Sequence, residues 1–191
     1  SPWLEDNQWV LDLIDGDPFF LGLIGNLDIG TEVFADQLAR FSANPRFRGI
    51  RLKELPQEAL DEARLADLRR LAGRGLVAEV QLAGMSLDDV LALADAVPAL
   101  PLLVNHLGGI QVDGKAPPLA WQEDIEALAQ KPNVYMKISG LFQQSGQDIA
   151  PTEMVFYAPV LDVLWQAFGA ERLIYGSNWP VSDLRGEYQA Q

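Results

Sequence analysis

The sequence predicts an α/β fold built around a parallel sheet, and three observations carry that reading. Apolar or alternating segments begin near residues 19, 47, 76, 102, 133 and 172, a recurrence of about 30 residues. One helical pattern occupies each gap, which is the period of βα units. Each segment runs out into polar or Gly-rich sequence, where parallel-sheet proteins gather their ligands.

The first helical pattern carries Trp9, Val10, Leu13 and Ile14 and ends at Gly16; Asp17-Pro18 then forces the chain into a strand over 19–25. Thr31 reads as the N-cap of a second helix with Phe34, Leu38 and Phe41 at i, i+4 and i+7, closed before Pro45 and followed by a strand over 47–52. Leu65, Leu68, Leu71 and Ala72 mark a third helix, stopped at Gly73 and Gly75. In the strand over 76–82, Leu76, Ala78, Val80 and Leu82 share one face and Val77, Glu79 and Gln81 the other. Ser86 and Asp89 have capping-box spacing, opening a helix through Val97 that Pro98 and Pro101 end before a strand over 102–107. Trp121, Ile125, Leu128 and Ala129 mark the next helix, followed by a strand over 134–139, a helix over 160–168 stopped by Gly169, and a last strand over 172–178. The longest loops fall at 107–118 and 142–152. The acidic run Glu58, Asp61, Glu62 and Asp67 reads as a solvated helix surface.

Composition narrows the function. The 191 residues include 27 acidic and 14 basic side chains, a net charge of −13, with one His and no Cys. At 49% apolar and 21% charged, the chain is able to bury a core and does not match disordered proteins. Its charge repels a phosphate backbone, which argues against nucleic acid and for small-molecule or protein partners. The apolar runs at 19–25 and 97–104 are far below the roughly 18 residues of a membrane span. Absence of Cys removes disulfides and thiolate chemistry, and the Ser1-Pro2 start lacks a signal peptide's features, so a cytoplasmic protein is expected. No linker or composition shift divides the chain, so residues 1–191 are read as a single domain.

Six βα units suit either a doubly wound sheet or a barrel. Nucleotide-binding doubly wound sheets need a glycine-rich phosphate turn after the first strand. Gly22-Leu-Ile-Gly25 lacks that spacing, and Gly30-Thr31 lacks the phosphate-binding Lys of a P-loop. A full (β/α)8 barrel needs about 250 residues. In both architectures the polar strand ends are the place for a site: Arg51, Glu79 with Gln81, Asn105 with His106, Lys137 with Ser139, and Asn178.

Four segments together resemble the amidohydrolase-related TIM-barrel hydrolases, a group that includes sugar-lactone and pyrone-dicarboxylate lactonases: Phe47-Arg-Gly-Ile-Arg51, Val104-Asn-His-Leu-Gly-Gly109, Asn133-Val-Tyr-Met-Lys-Ile-Ser-Gly140 and Arg172-Leu-Ile-Tyr-Gly-Ser-Asn-Trp-Pro-Val181. The resemblance implies a (β/α)8 TIM barrel of which this chain holds about six strands, the third to the eighth, truncated at both ends relative to the family. It implies a metal-dependent hydrolase acting on a small lactone, ester or amide at the carboxyl ends of the strands, with a divalent metal such as zinc. The family's His-x-His pair is absent from this chain, and Asn178 stands where the family commonly has Asp. Asn is unable to take a proton at neutral pH. Two alternatives stay open, a non-catalytic binding remnant of such a barrel and a lyase such as a decarboxylase.

Within that reading His106 is the residue to bind metal or donate to a substrate carbonyl. Glu79 is the carboxylate for general base work or metal ligation, or else the partner of a nearby Lys or Arg. Asn178 is suited to orient a ligand, with Trp179-Pro180 as a stiff wall beside it. Arg51 is placed to clamp a carboxylate, Arg48 lying on the opposite strand face. Gln81, Lys137 and Ser139 are candidate substrate contacts, Lys137 and Ser139 having neutralisation of Glu79 as their structural alternative. Two unpaired sheet edges would make an isolated six-strand segment a homo-oligomer or prone to aggregate.

Overall fold

The computed structural model describes residues 3–190. Six strands, β1 (Leu23–Gly25), β2 (Phe47–Leu52), β3 (Val77–Val80), β4 (Leu102–Val104), β5 (Val134–Ser139) and β6 (Leu173–Gly176), follow one another in sheet order β1-β2-β3-β4-β5-β6. A doubly wound sheet reverses its order at a switch point. No reversal occurs here, so this α/β fold has the strand order of a (β/α)8 barrel with six of its eight strands. The chain divides into two compact units, Ser1–Leu102 and Leu103–Gln191.

In the first unit β1 pairs with β2 and β2 with β3, both parallel. Gly49 lies opposite Val77, and a Cβ there would sit 2.1 Å from the Val77 carbonyl oxygen, so only glycine lets these strands close. Helices α1 (Glu5–Leu13), α2 (Phe34–Ser42), α3 (Glu62–Gly73) and α4 (Leu87–Ala96) accompany them. Phe34, Leu38 and Phe41 of α2 are fully buried, as their spacing predicts, and Phe41 stacks on Phe47 at 5.8 Å between ring centres. Such side chains contribute about 1.5–3 kcal/mol each. The Ser86–Asp89 capping box forms as read, opening α4.

Several expectations for this unit are corrected. Helix α1 buries Asn7 and Leu11, while Trp9 and Leu13 are exposed. Asn7 is selected because its amide donates to the Asn26 carbonyl at 2.9 Å and accepts from the Asn26 N–H at 3.0 Å, pinning α1 to the end of β1. The strand expected over 19–25 is only Leu23–Gly25, with Phe19 and Leu21 solvent-exposed. Arg46 gathers the carbonyls of Ile14, Asp17 and Phe20, holding the preceding segment as a turn. Thr31 is not the N-cap of α2: that place is Val33, and the Thr31 hydroxyl donates to the Asp28 carbonyl. Asp67 is buried at 4% exposure, not solvated; it accepts from the Gly30 N–H at 2.8 Å and from Arg70 at 2.7 Å. Asp61 is the N-cap of α3, accepting from the Arg64 N–H.

In the second unit β5 and β6 pair in parallel, Lys137 opposite Ile174 and Ser139 opposite Gly176. Its helices are α5 (Leu119–Ala129), α6 (Leu141–Gln144) and α7 (Met154–Phe168). The strand expected over 102–107 stops at Val104 and gives way to a tight turn, His106–Gly109. Helix α7 begins six residues before the expected 160, with Pro159 inside it. The N–H that Pro lacks would have bonded Val155, whose exposure lets water serve that carbonyl. Strand β6 begins after Arg172, whose guanidinium donates to the carbonyls of Lys131 and Val134, and ends at Gly176, two residues before the left-handed Asn178. Helix α6 replaces the start of the loop expected at 142–152, and the Val112 N–H donates to the Gln144 carbonyl at 2.7 Å, tying down the segment after His106–Gly109. Among the described residues no helix is long and apolar enough to cross a membrane.

Candidate functional site

Each unit carries one polar constellation at the carboxyl ends of its strands. In the first unit, register places Arg51 of β2 opposite Glu79 of β3. The Arg51 Nε and Nη2 both donate to Glu79 Oε2, at 2.9 and 2.8 Å, leaving Nη1 uncommitted. Glu79 is 1% exposed and Arg51 considerably more open, so the carboxylate is the buried partner of the pair. Beside the pair a cleft of about 600 Å³ is lined by Asn26, Asp28, Arg51, Lys53, Glu54 and Arg64 among others. Lys53 forms no ion pair with the described residues, whereas Arg64 is bound to Asp61. Gln81 extends the ladder, its N–H donating to the Leu52 carbonyl at 3.0 Å, and does not line this cleft.

The second unit brings together His106, Ser139, Asn178 and two residues the sequence reading did not single out as site residues, Gly140 and Gln143. His106 Nδ1 and Ser139 Oγ are hydrogen-bonded at 2.9 Å, and Ser139 is 2% exposed. The Asn178 amide donates to Gln143 Oε1 at 3.1 Å, and Gln143 in turn donates to the Val181 carbonyl at 2.7 Å. Gln144 donates to the His106 carbonyl at 3.1 Å, which fixes the backbone that carries the imidazole. Gly140 is the hub of this arrangement. A Cβ on it would lie 2.9 Å from His106 Nδ1 and 3.5 Å from Asn178 Nδ2, and its φ of +66° is left-handed.

Backbone strain concentrates here. Among the described residues four non-glycine residues have positive φ, and three of them, His106 (54°), Leu107 (57°) and Asn178 (57°), belong to this constellation or adjoin it. Each such residue costs about 1–3 kcal/mol and persists only where the surroundings overdetermine it, a pattern common at functional sites. Asn105, next to His106, is 3% exposed with its Oδ1 unbonded among the described residues, a further polar group held at expense.

The other expected contacts are placed as follows. Lys137 shares the strand face of Ser139, and its Cδ would lie 3.4 Å from a Cβ on Gly176. Trp179 is largely exposed, its indole N–H donating to Asp183 at 2.9 Å. Among the described residues no group of three His, Cys, Asp or Glu side chains is placed to hold a metal ion. The side chains bonded at His106 and Asn178, a hydroxyl and an amide, are a poor donor set for a divalent cation.

A family model described as amidohydrolase matches residues 1–191. The L-fucono-1,5-lactonase of Burkholderia ambifaria is 28% identical over 194 residues, covering 98% of this chain and 64% of that protein. The L-rhamnono-gamma-lactonase of Scheffersomyces stipitis is 33% identical over 105 residues, 49% of this chain and 31% of that protein. An amidohydrolase structure from Burkholderia multivorans with bound zinc matches with a TM-score of 0.79 at 25% identity, covering 97% of this chain and 68% of that one. The chain thus spans just under two thirds of the length of the fuconolactonase it matches.

Proposed function

The chain belongs to the amidohydrolase family, and from that premise we propose that it acts in the hydrolysis of a small lactone of the sugar-acid type. Lactonases of two such acids among its relatives support the substrate class. The observation that carries the site is the left-handed turn presenting His106, the chain's single imidazole, beside Ser139, Gly140 and Asn178.

Hydrolysis adds the oxygen of water to the lactone carbonyl carbon and breaks the ring C–O bond, giving a hydroxy acid. Charge develops on the carbonyl oxygen, and a preorganised N–H donor there lowers the barrier. His106 is assigned that donation, with the Asn178–Gln143 pair holding the wall beside it. In the first unit Glu79 is assigned the task of holding the Arg51 guanidinium. Glu79 is not assigned as base, because its carboxylate is 1% exposed and ion-paired with Nε and Nη2 of Arg51, which favours its unprotonated form. A zinc ion is bound in the Burkholderia multivorans structure. The described residues of this chain do not fit one, so no step is derived through a metal.

The test is hydrolysis of a panel of 1,4- and 1,5-aldonolactones, followed by acid release. The chain is expected to turn over at least one, and His106→Ala to lower kcat/KM by about 100-fold or more while far-UV circular dichroism stays unchanged. A folded His106→Ala variant with full activity removes His106 from the site. No turnover of any lactone overturns the reading in favour of a binding module.

A further inference from the structure

We propose that Ser139 is a positioning residue that fixes the proton of His106 on Nε2. A serine hydroxyl has one hydrogen to donate and two lone pairs to accept with. Ser139 is 2% exposed, and among the described residues the one partner of its hydroxyl is His106 Nδ1, at 2.9 Å. Two arrangements satisfy that distance. If Nδ1 carries the hydrogen, Ser139 accepts and its own buried hydrogen is left with nothing to bond, which disfavours this arrangement by about tenfold or more. If the hydroxyl donates to Nδ1, both groups are satisfied and the ring hydrogen must sit on Nε2.

The geometry holds the pair in register from three sides. Ser139 ends β5 opposite Gly176, and the Gln144 amide fixes the His106 carbonyl. Gly140 leaves the space a Cβ would occupy 2.9 Å from Nδ1. In place of the substrate contact expected from its strand face, Ser139 is assigned an action through the imidazole.

The consequence separates two roles the sequence left open for His106. An Nε2–H imidazole donates a hydrogen bond and has no lone pair at Nε2 for a cation or a proton. His106 is then a donor toward a carbonyl oxygen and not a metal ligand. That consequence rests on the lactone reading; the tautomer itself does not.

The chain has one His, so ¹⁵N labelling of histidine gives the signals of one ring. In the neutral protein, long-range ¹H–¹⁵N correlation is expected to show Nδ1 as the unprotonated, pyridine-type nitrogen and Nε2 as the protonated, pyrrole-type one. The reverse pattern overturns the proposal. Ser139→Thr, which keeps the hydroxyl, is expected to retain the pattern. Ser139→Ala is expected to move both nitrogens to exchange-averaged positions and to lower kcat about tenfold at unchanged KM. A folded Ser139→Ala protein with an unmoved pattern shows that Ser139 does not set the tautomer. If that variant does not fold, Ser139→Cys, which fills similar space with a weak donor, is read against the same two outcomes. The spectra need no substrate, so a chain without lactonase activity ends the functional reading and leaves the tautomer assignment to its own test.

Discussion

The two units bury their polar groups by opposite means. In the first, the buried polar side chains are Asn7, Asp67 and Glu79, and both carboxylates are met by the guanidinium of an arginine whose head remains in contact with solvent, Arg70 and Arg51. In the second they are Asn105, Ser139, Ser145 and Ser182, with no charge among them, and three non-glycine residues take left-handed backbone. An ion pair is tolerant of small displacements because Coulomb attraction falls off slowly, whereas a neutral hydrogen bond depends on distance and angle. The first arrangement suits a scaffold, and the second suits a site whose donor has to be aimed.

The largest expected effect follows from removing the cation in the first unit. Breaking a buried pair costs about 3–5 kcal/mol when the survivor is an isolated charge. Arg51 is partly solvated and Glu79 keeps other interactions, so Arg51→Ala is expected to cost about 2–3 kcal/mol by urea unfolding. A loss below about 1 kcal/mol, the level of exposed pairs, would erase the contrast between the units.

A smaller effect is expected from the hub of the second unit. Gly140→Ala places a methyl group against His106 Nδ1 and forces a left-handed alanine, which costs about 1–2 kcal/mol. Its signature is local: the His106 ring signals and lactone turnover are expected to change while unfolding stays cooperative. Unperturbed ring signals in the alanine variant would mean that the imbalance between scaffold and site is not real.

How far this contrast was visible in the sequence depends on the range of the interactions. Strands β2 and β5 have the expected boundaries, and the Ser86–Asp89 box caps α4, because each rests on residues a few positions apart. The turn before β1 was not legible, since Arg46 reaches back 26 to 32 residues to take its carbonyls. Asp67 looked like one more surface carboxylate because its donor, the Gly30 N–H, is 37 residues away. His106, Asn178 and Ser139 were legible as strand-end polar residues expected in one pocket, but not the hydrogen bonds through which they meet. That meeting depends on Gly140 and Gln143, of which the glycine inside Ile-Ser-Gly140 was the one available signal. Positive φ at His106 and Asn178 left only a weak trace, because His and Asn enter the left-handed region more often than other side chains but far less readily than glycine.

The smallest expected effects lie at the two ends of the pH scale, where the units should weaken separately. In the first, the Asp89 carboxyl is held below its ordinary 3.8 by the N–H groups of Ser86 and Gln57. A depressed folded value means that Asp89 stabilises above 3.8 and that this contribution is lost as pH falls through the lower folded value. In the second, burial and then the charge of Glu153 push the Tyr157 phenol up from 10.0 to about 12. Its hydroxyl donates to the Pro151 carbonyl at 2.7 Å, so Tyr157→Phe is expected to cost about 1 kcal/mol at neutral pH. The unfolded chain loses the phenolic proton first, so this advantage of Tyr over Phe holds below 10 and disappears between 10 and about 12. Asp113 in the second unit shifts in the acid direction as well, but it is an exposed loop carboxylate bonded to Lys115 and should add little. Thermal unfolding of Tyr157→Phe and Asp89→Asn against the parent chain, across pH, reads both. The Asp89 difference should close in acid and the Tyr157 difference in alkali; a Tyr157 difference that persists unchanged through pH 12 would place the phenol in water and remove it from the neutral core of the second unit.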